Sequence, residues 1–273
     1  AARRPAPGSD RVECWGFFGG IHGCSGQYIG PMGAIRQQVH KTWGRLMGMG
    51  LPGRCAICRH WPSDPVCETC IARFAQPRLR CLGCALPLAG GAWRCGACLQ
   101  QPPPLARCLA AVDYGWPWRE LVERFKFDDQ PGWAGPLAWL MRGSTWAEDT
   151  LNEADGVLPI PLSRERLAER GYNQSWLLAR RLAPDKADAA LLLRIRHTPP
   201  QRTLPRAERL GNLQGAFAVE PLRARQLQGQ KLLLVDDVMT SGASLHAAAQ
   251  VLLQAGAAQV SALVLARTGL DAD

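Results

Sequence analysis

The hydrophobic pattern of the chain changes at about residue 108. From Cys108 onwards, short apolar runs alternate with stretches of helical periodicity, which indicates an α/β fold with a parallel sheet. The clearest strand is the run Leu232–Val235, and a helix is predicted from Ala243 to about Ala255. The apolar side of that helix would consist of Leu245, Leu252 and Leu253, and Gly256 would end it.

The first part of the chain lacks this alternation. Residues 1–46 are rich in glycine without periodicity, which predicts a poorly ordered or extraneous N-terminal segment. Residues 50–104 contain eight of the eleven cysteines, and the run QQPPPLA at 100–106 would be a stiff linker. GMGLPG at 48–53 matches the glycine spacing of dinucleotide-binding loops, but no convincing strand precedes it, so we interpret it as a flexible lead-in.

The eight cysteines of residues 50–104 form four Cys-x-x-Cys pairs. Two intervening residues let one tight turn present both sulfurs to a tetrahedral cation, and two such turns complete a closed four-sulfur site. We predict two structural Zn²⁺ ions, which would supply the folding free energy that so small a core lacks. Sequential pairing, our preference over interleaved pairing, gives one site from Cys55, Cys58, Cys67 and Cys70 and another from Cys81, Cys84, Cys95 and Cys98. Disulfides and iron–sulfur clusters are the alternatives, and the regular paired spacing favours zinc.

Two adjacent carboxylates, Asp236 and Asp237, follow the predicted strand. The next residues, Val238–Gly242, would turn sharply, so that backbone N–H groups and two hydroxyls face the N-terminus of the following helix. That arrangement receives a phosphate. Carboxylates do not bind phosphate themselves, but they accept hydrogen bonds from hydroxyls beside it, as on a ribose 5-phosphate. A capped helix with solvated acids is the alternative, and it does not account for the acid pair.

Several stretches of the sequence resemble the motifs of a known family. VDDVMTSGAS at 235–244 resembles the 5-phosphoribosyl-1-pyrophosphate (PRPP) binding signature of type I phosphoribosyltransferases. PIPLSRERLAERGYNQS at 159–175, KFD at 126–128 and GAF at 215–217 are similar to motifs of the ComF/GntX family, whose members also carry a cysteine-rich N-terminal ribbon. A spaced motif resembles the family too: Arg196, Thr198, Gln201, Leu204, Arg209 and Asn212.

The resemblance implies a fold and a set of residue roles. The fold would be a type I phosphoribosyltransferase-like parallel sheet of about five strands flanked by helices over residues 108–273, preceded by a double zinc-ribbon domain over residues 50–104. Asp236 and Asp237 would be the catalytic acids and would hold the ribose hydroxyls directly or through Mg²⁺. The PRPP-binding residues would be Val238, Met239, Thr240, Ser241, Gly242 and Ser244 at the 5-phosphate, with Arg166 and Arg170 at the pyrophosphate. A solvated helix face is the alternative for the two arginines.

The charge of the chain bears on its partners. The net charge is +9, and residues 163–231, with fourteen Lys/Arg against six Asp/Glu, carry +8 of it. This favours a polyanionic partner. The resemblance implies a PRPP-binding protein that assists handling or uptake of single-stranded DNA, with other DNA-uptake proteins as further partners. The alternative is a phosphoribosyltransferase acting on an unidentified base or small acceptor. No apolar run reaches about 18 residues, so we expect no membrane insertion and a cytoplasmic location.

Overall fold

The computed structural model describes residues 53–196 and 215–269. These residues belong to one compact unit. The predicted N-terminal segment, residues 1–46, lies outside the described residues. So does the spaced motif from Thr198 to Asn212, of which Arg196 alone is described.

Four parallel strands form the central sheet of the described residues. They are β1 (Cys108–Asp113), β2 (Gly156–Pro159), β5 (Lys231–Met239) and β6 (Gln259–Arg267), in the order β1-β6-β5-β2. A separate antiparallel pair consists of β3 (Leu192–Arg194) and β4 (Phe217–Val219). The parallel sheet is confirmed, but within the described part of the chain it has four strands instead of about five.

Helices cover both faces of this sheet. They are α1 (Glu68–Phe74), α2 (Gly96–Gln100), α3 (Trp118–Phe127), α4 (Ala134–Arg142), α5 (Ala147–Glu153), α6 (Arg164–Arg170), α7 (Gln174–Leu182) and α8 (Ala243–Gln254). Short 3₁₀ helices span Pro131–Trp133 and Pro221–Leu227. None of the described helices is long and apolar enough to cross a membrane.

The central strand β5 divides its side chains between two hydrophobic layers. Leu232 and Leu234 pack in one cluster with α8, whereas Leu233 and Val235 pack in the other with α3, α4 and α7. This alternation follows from the two-residue period of a strand. Because both faces are covered, the strand is almost continuously apolar, and this is the pattern by which it was predicted.

The structure corrects the predicted ends of these elements. β5 runs through both acids to Met239, because its pairing with β6 continues as far as that residue. Val238 and Met239 are therefore strand residues, and the turn begins at Thr240. The predicted helix is confirmed as α8, with Leu245 and Leu252 buried, but Leu253 is 36% exposed and does not belong to its buried side.

The cysteine-rich part is hydrogen-bonded to the sheet and packed against it. Cys108 N donates to Leu82 O (2.7 Å), and Ala106 N donates to Val260 O (2.9 Å). Leu105, in the proline-rich run, is buried in the same cluster as α8. The run predicted to be a linker is thus packed against the core. That residues 50–104 fold as a separate domain stays a prediction.

Candidate functional site

The chain passes from β5 into α8 through the turn Thr240–Gly242. Gly242 is the N-cap of α8 and has a left-handed backbone conformation (φ 82°). A Cβ atom there would lie 2.4 Å from Cε of Met239 and 3.1 Å from Nε2 of His246. A side chain is therefore excluded both by the backbone angle and by space. The turn brings the first N–H groups of α8 to the carboxyl edge of the sheet, where ligands of parallel α/β sheets bind.

Three hydroxyl residues lie in and just after this turn. Thr240 is exposed, and Ser241 and Ser244 are half-buried. Ser241 Oγ accepts a hydrogen bond from Ala243 N (3.4 Å) in the first turn of α8. Hydroxyls and backbone N–H groups thus lie together at one helix N-terminus, which is the arrangement that binds phosphate. The specific role of each residue toward PRPP stays a prediction.

The two adjacent acids make different contacts. Asp236 Oδ1 accepts hydrogen bonds from Ser175 Oγ (2.8 Å) and from the backbone N of Asp237 (2.9 Å). Asp237 forms an ion pair with Lys126 (Nζ to Oδ1, 2.9 Å), and both side chains of this pair are largely buried. Burial, and then the negative charge of Asp237, raises the pKa of Asp236 to about 7. Asp236 therefore changes its charge near neutral pH.

Arginine side chains bring positive charge to the same edge of the sheet. The pKa of Arg166 is lowered by burial and by the charge of Arg170. The pKa of Arg194 is lowered by burial and by the charge of Arg166, while Asp236 acts in the opposite direction. A group of mutually repelling cations beside one carboxylate is an arrangement that an anionic ligand would stabilise. The predicted pair Arg166 and Arg170 thus belongs to a larger basic group that includes Arg194.

The connection between β2 and α7 holds Ser175 at this site. Gly171 ends α6 in a left-handed conformation (φ 72°), which reverses the chain. Asn173 then caps α7: its Oδ1 accepts from Ser175 N (2.9 Å), and its Nδ2 donates to Ile160 O (3.1 Å) just after β2. The first turn of α7 is therefore tied to the carboxyl end of β2, which lies next to β5 in the sheet.

Three side chains of the site were not predicted from the sequence. Lys126 and Ser175 occur in stretches similar to the ComF/GntX family, but nothing in their spacing pairs them with the two acids. Arg194 had no signal beyond its place in the basic segment 163–231. All three reach the site from elements far from β5 in the sequence, so their proximity depends on the tertiary fold.

The cysteines form two four-sulfur groups, and the pairing is sequential. In each group the four sulfur atoms lie within 4.8 Å of one another. The first group contains Cys55, Cys58, Cys67 and Cys70, and the second contains Cys81, Cys84, Cys95 and Cys98. Cys67 and Cys95 are the N-caps of α1 and α2, so each short helix begins at the second Cys-x-x-Cys pair of its group.

The donor geometry fits a tetrahedral metal ion. Metal–sulfur bonds of about 2.3 Å imply sulfur–sulfur edges of about 3.8 Å. In the structure the sulfur–sulfur distances are 3.8 Å for Cys55–Cys70 and 3.7 Å for Cys84–Cys95. Burial acts to raise the pKa of the Cys55 thiol, but N–H donors from Cys67, Cys58 and Ile57 outweigh it and bring that pKa to about 6. Thiolates are the form that binds Zn²⁺, so each group could hold one ion.

The chain is similar to a known domain family and to several known proteins. A family model described as "Phosphoribosyl transferase domain" matches residues 190–272. The DNA utilization protein YhgH of Salmonella typhimurium is 36% identical over 234 residues, which is 80% of this chain and 98% of that protein. Competence protein F of Haemophilus influenzae is 29% identical over 226 residues, 78% of this chain and 96% of that protein. Competence protein ComFC of Bacillus subtilis is 38% identical over 113 residues, 41% of this chain and 44% of that protein.

The parallel sheet, the matched domain and the two cysteine groups define a phosphoribosyltransferase-like protein with an N-terminal double zinc-ribbon region. The similarity to YhgH over nearly that protein's whole length identifies the family. The chain belongs to the ComF/GntX family.

The cysteine groups lead to a prediction about metal content. We expect two zinc ions per chain by elemental analysis, and one after either Cys58→Ser or Cys95→Ser, because each closed site needs four thiolates. Cys108→Ser is the matched control: Cys108 is buried but belongs to neither group, so this variant should keep both ions. Iron with visible absorption, or protein without metal, would contradict the assignment.

The raised pKa of Asp236 leads to a prediction about stability. The folded state keeps a proton on Asp236 up to about pH 7, whereas the unfolded chain releases it near pH 3.8. The contribution of Asp236 to the free energy of unfolding therefore falls as pH rises between these values. Asp236→Asn should stabilise the protein by about 1 kcal/mol or more at pH 8, and by less at pH 5. Urea unfolding at both pH values measures this, and an equal effect at the two would contradict it.

Proposed function

We propose that this protein binds PRPP at the carboxyl edge of its sheet and assists the handling or uptake of single-stranded DNA. The observation that carries the proposal is the β5–α8 turn. Strand β5 ends in two acids, half-buried Val238 and buried Met239, and three residues further on left-handed Gly242 caps the N-terminus of α8. The matched phosphoribosyltransferase domain includes this whole region. Relatives named for DNA utilization and competence support the DNA part.

The site offers a partner for each charged part of PRPP. The 5-phosphate would bind the N–H and hydroxyl groups of Thr240–Ser244. Asp236 and Asp237 would accept hydrogen bonds from the ribose hydroxyls, and Arg166, Arg170 and Arg194 would face the pyrophosphate. Carboxylate oxygens are donors that Mg²⁺ prefers, and the ion would neutralise part of the pyrophosphate charge. Because Lys126 already pairs with Asp237 (2.9 Å), the acids do not present two free carboxylates.

Surface charge also supports the proposed DNA binding. Arg180, Arg181 and Arg225 are exposed in the basic segment 163–231, so they can follow a phosphate backbone. Arg223, in contrast, donates to both carboxylate oxygens of Asp188, so much of its charge is already compensated. We place the protein in the cytoplasm, where thiolates stay reduced, and expect other DNA-uptake proteins among its partners.

A phosphoribosyltransferase that uses an unidentified base or small acceptor is the second candidate. The observation in its favour is the pKa of Asp236, about 7, since a general base works best when its pKa lies near the operating pH. Such an enzyme would release pyrophosphate from PRPP when the acceptor is added. Pyrophosphate release that requires an added nucleobase, and that is lost in the Asp236→Asn variant, would favour this candidate over PRPP binding without turnover.

The acid pair is the first test of PRPP binding. Asp236→Asn combined with Asp237→Asn should weaken PRPP–Mg²⁺ binding by about 100-fold or more, because hydrogen bonds to charged groups contribute about 1.5–3 kcal/mol each. Asp155→Asn is the matched control, since Asp155 accepts from Lys231 N (2.8 Å) at the opposite end of β5. Isothermal calorimetry measures both, with circular dichroism to verify folding. Equal affinities in the double variant and the control would sink the assignment.

The basic segment is the test of DNA binding. We expect weak, sequence-tolerant binding of single-stranded DNA that falls with salt, at a slope of about −0.7 per neutralised phosphate. Arg180→Glu with Arg181→Glu should weaken it and reduce that slope, while PRPP affinity stays unchanged. Arg54→Glu with Arg119→Glu is a control of equal charge change at exposed positions outside the segment. Fluorescence anisotropy of a labelled oligonucleotide gives the affinities. No binding at low salt would exclude direct DNA contact.

A further inference from the structure

A buried arginine joins the second cysteine group to the start of the turn Thr240–Gly242, hereafter the phosphate turn, since it is the proposed site of the 5-phosphate. Arg267, the last residue of β6, is 3% exposed. Its Nε donates to Cys84 O (2.7 Å), and its Nη1 donates to Met239 O (3.2 Å) and to Thr268 O (2.7 Å). A buried guanidinium is stable only when its N–H groups are satisfied in a fixed planar geometry. The positions of these carbonyls therefore depend on one another.

On one side of Arg267 lies the first turn of the second cysteine group. Cys81 closes this turn through its carbonyl, which accepts from Ala85 N (2.7 Å), and through its N–H, which donates to Leu86 O (2.8 Å). The Cys84 sulfur is 3.7 Å from that of Cys95, the distance of a tetrahedral edge. A metal ion bound to the four sulfurs would hold the turn rigid and with it the Cys84 carbonyl.

On the other side lies Met239, directly before the phosphate turn. Its carbonyl also accepts from Thr268 N (3.1 Å), and its sulfur lies 3.5 Å from the Cys108 sulfur. Its methyl group occupies the space where a Cβ of residue 242 would be. A displacement of Met239 would therefore move Gly242 and the N-terminus of α8.

Arg267 also places positive charge near the first turns of α8. The pKa of His246 is lowered to about 4, by burial first and then by the charge of Arg267. His246 is therefore neutral at physiological pH, and the guanidinium of Arg267 contributes positive potential where a phosphate would bind.

The first cysteine group has different neighbours. Its helix α1 packs Ile71 and Phe74 against the cluster that includes α3 and α4. Phe74 O also accepts from Trp118 Nε1 (2.9 Å). Its contacts thus lead to α3 rather than to Met239, which makes it an internal control for the second group.

We infer that the second cysteine group positions the phosphate turn through Arg267, so that metal binding by Cys81, Cys84, Cys95 and Cys98 and phosphate binding at Thr240–Gly242 favour each other. Arg267 is a positioning residue, because it acts through the carbonyl of Met239. The structural link from the second cysteine group to the phosphate turn does not require a bound ligand. The coupling between metal binding and phosphate binding, in contrast, rests on the proposed PRPP site. Equilibrium coupling is reciprocal, so PRPP must raise the affinity for the second metal by the factor with which that metal raises PRPP affinity.

Hydrogen exchange of the turn tests the link without any ligand. Amide exchange across residues 239–246 should rise about 5-fold or more in Cys95→Ser, the low end of typical coupling, and remain unchanged in Cys58→Ser. Arg267→Lys keeps the charge but loses the planar fork, so it should reproduce the faster exchange while both zinc ions stay bound. Equal exchange in the two cysteine variants, or an unchanged turn in a folded Arg267→Lys protein, overturns the link.

Zinc affinity of the unaltered protein tests the coupling, and a variant is needed only to assign which of the two ions responds. Chelator competition with and without PRPP–Mg²⁺ should show one of the two zinc ions bound about 5- to 150-fold more tightly with PRPP. That ion should be the one missing from Cys95→Ser. If calorimetry shows PRPP binding while both ions shift equally, or neither shifts, the coupling is refuted. If calorimetry shows no PRPP binding, the proposed function fails, and hydrogen exchange alone decides the link.

Discussion

The alignment of β5 between β2 and β6 is the constraint on which the rest of the structure depends. Leu232 pairs with Gly156 on one side and with Val260 on the other. The contact at Gly156 is tight, since a Cβ there would lie 3.2 Å from the Leu232 side chain. Because side chains alternate along a strand, a shift of one residue would exchange the surroundings of Asp236 and Asp237 and remove the acid from Lys126. The four apolar residues before the acids fill both hydrophobic layers.

The carboxyl edge of the sheet brings together several charged groups whose pKa values are shifted by burial and by one another. Asp237 is compensated by Lys126, but the pKa of Asp236 is raised. Burial and the charge of Arg170 lower the pKa of Arg166, and burial and the charge of Arg166 lower the pKa of Arg194. Desolvated groups of this kind reduce stability, and they concentrate where a ligand completes the charge balance. A sugar phosphate with hydroxyl donors and a charged leaving group is a ligand whose charges would complement this set.

The two cysteine groups contribute to the fold in different ways. The sulfurs of Cys81, Cys84 and Cys98 belong to the same buried cluster as α8, so the second group is part of the main core. The first group attaches through the apolar residues of α1 to the opposite layer. A metal ion bound to either group would replace core volume that this short segment cannot supply, and in the second group it would also hold the Cys84 carbonyl that accepts from Arg267.

Local pattern alone indicated the main strand, the helix after it and the eight cysteines that would bind metal, whereas the sequential grouping of those cysteines came from the structure. Leu232–Val235 predicted a buried strand because a covered strand is apolar on both faces, Ala243 marked the start of a helix, and four Cys-x-x-Cys pairs predicted two four-sulfur groups, since each pair needs only one tight turn. Sequence could also indicate the phosphate turn, because Gly242 and the hydroxyl residues around it act through local backbone geometry.

Tertiary structure alone decided which distant groups complete the site. Lys126 on Asp237, Ser175 on Asp236 and Arg267 on Met239 are pairs whose members come from separate elements, and no periodicity or spacing relates them. The end of β5 also depends on the tertiary structure: the strand extends to Met239 because β6 supplies hydrogen-bond partners as far as that residue. Short-range patterns report local backbone preferences, whereas the pairing of charges depends on strand order and register, which the whole packed chain determines.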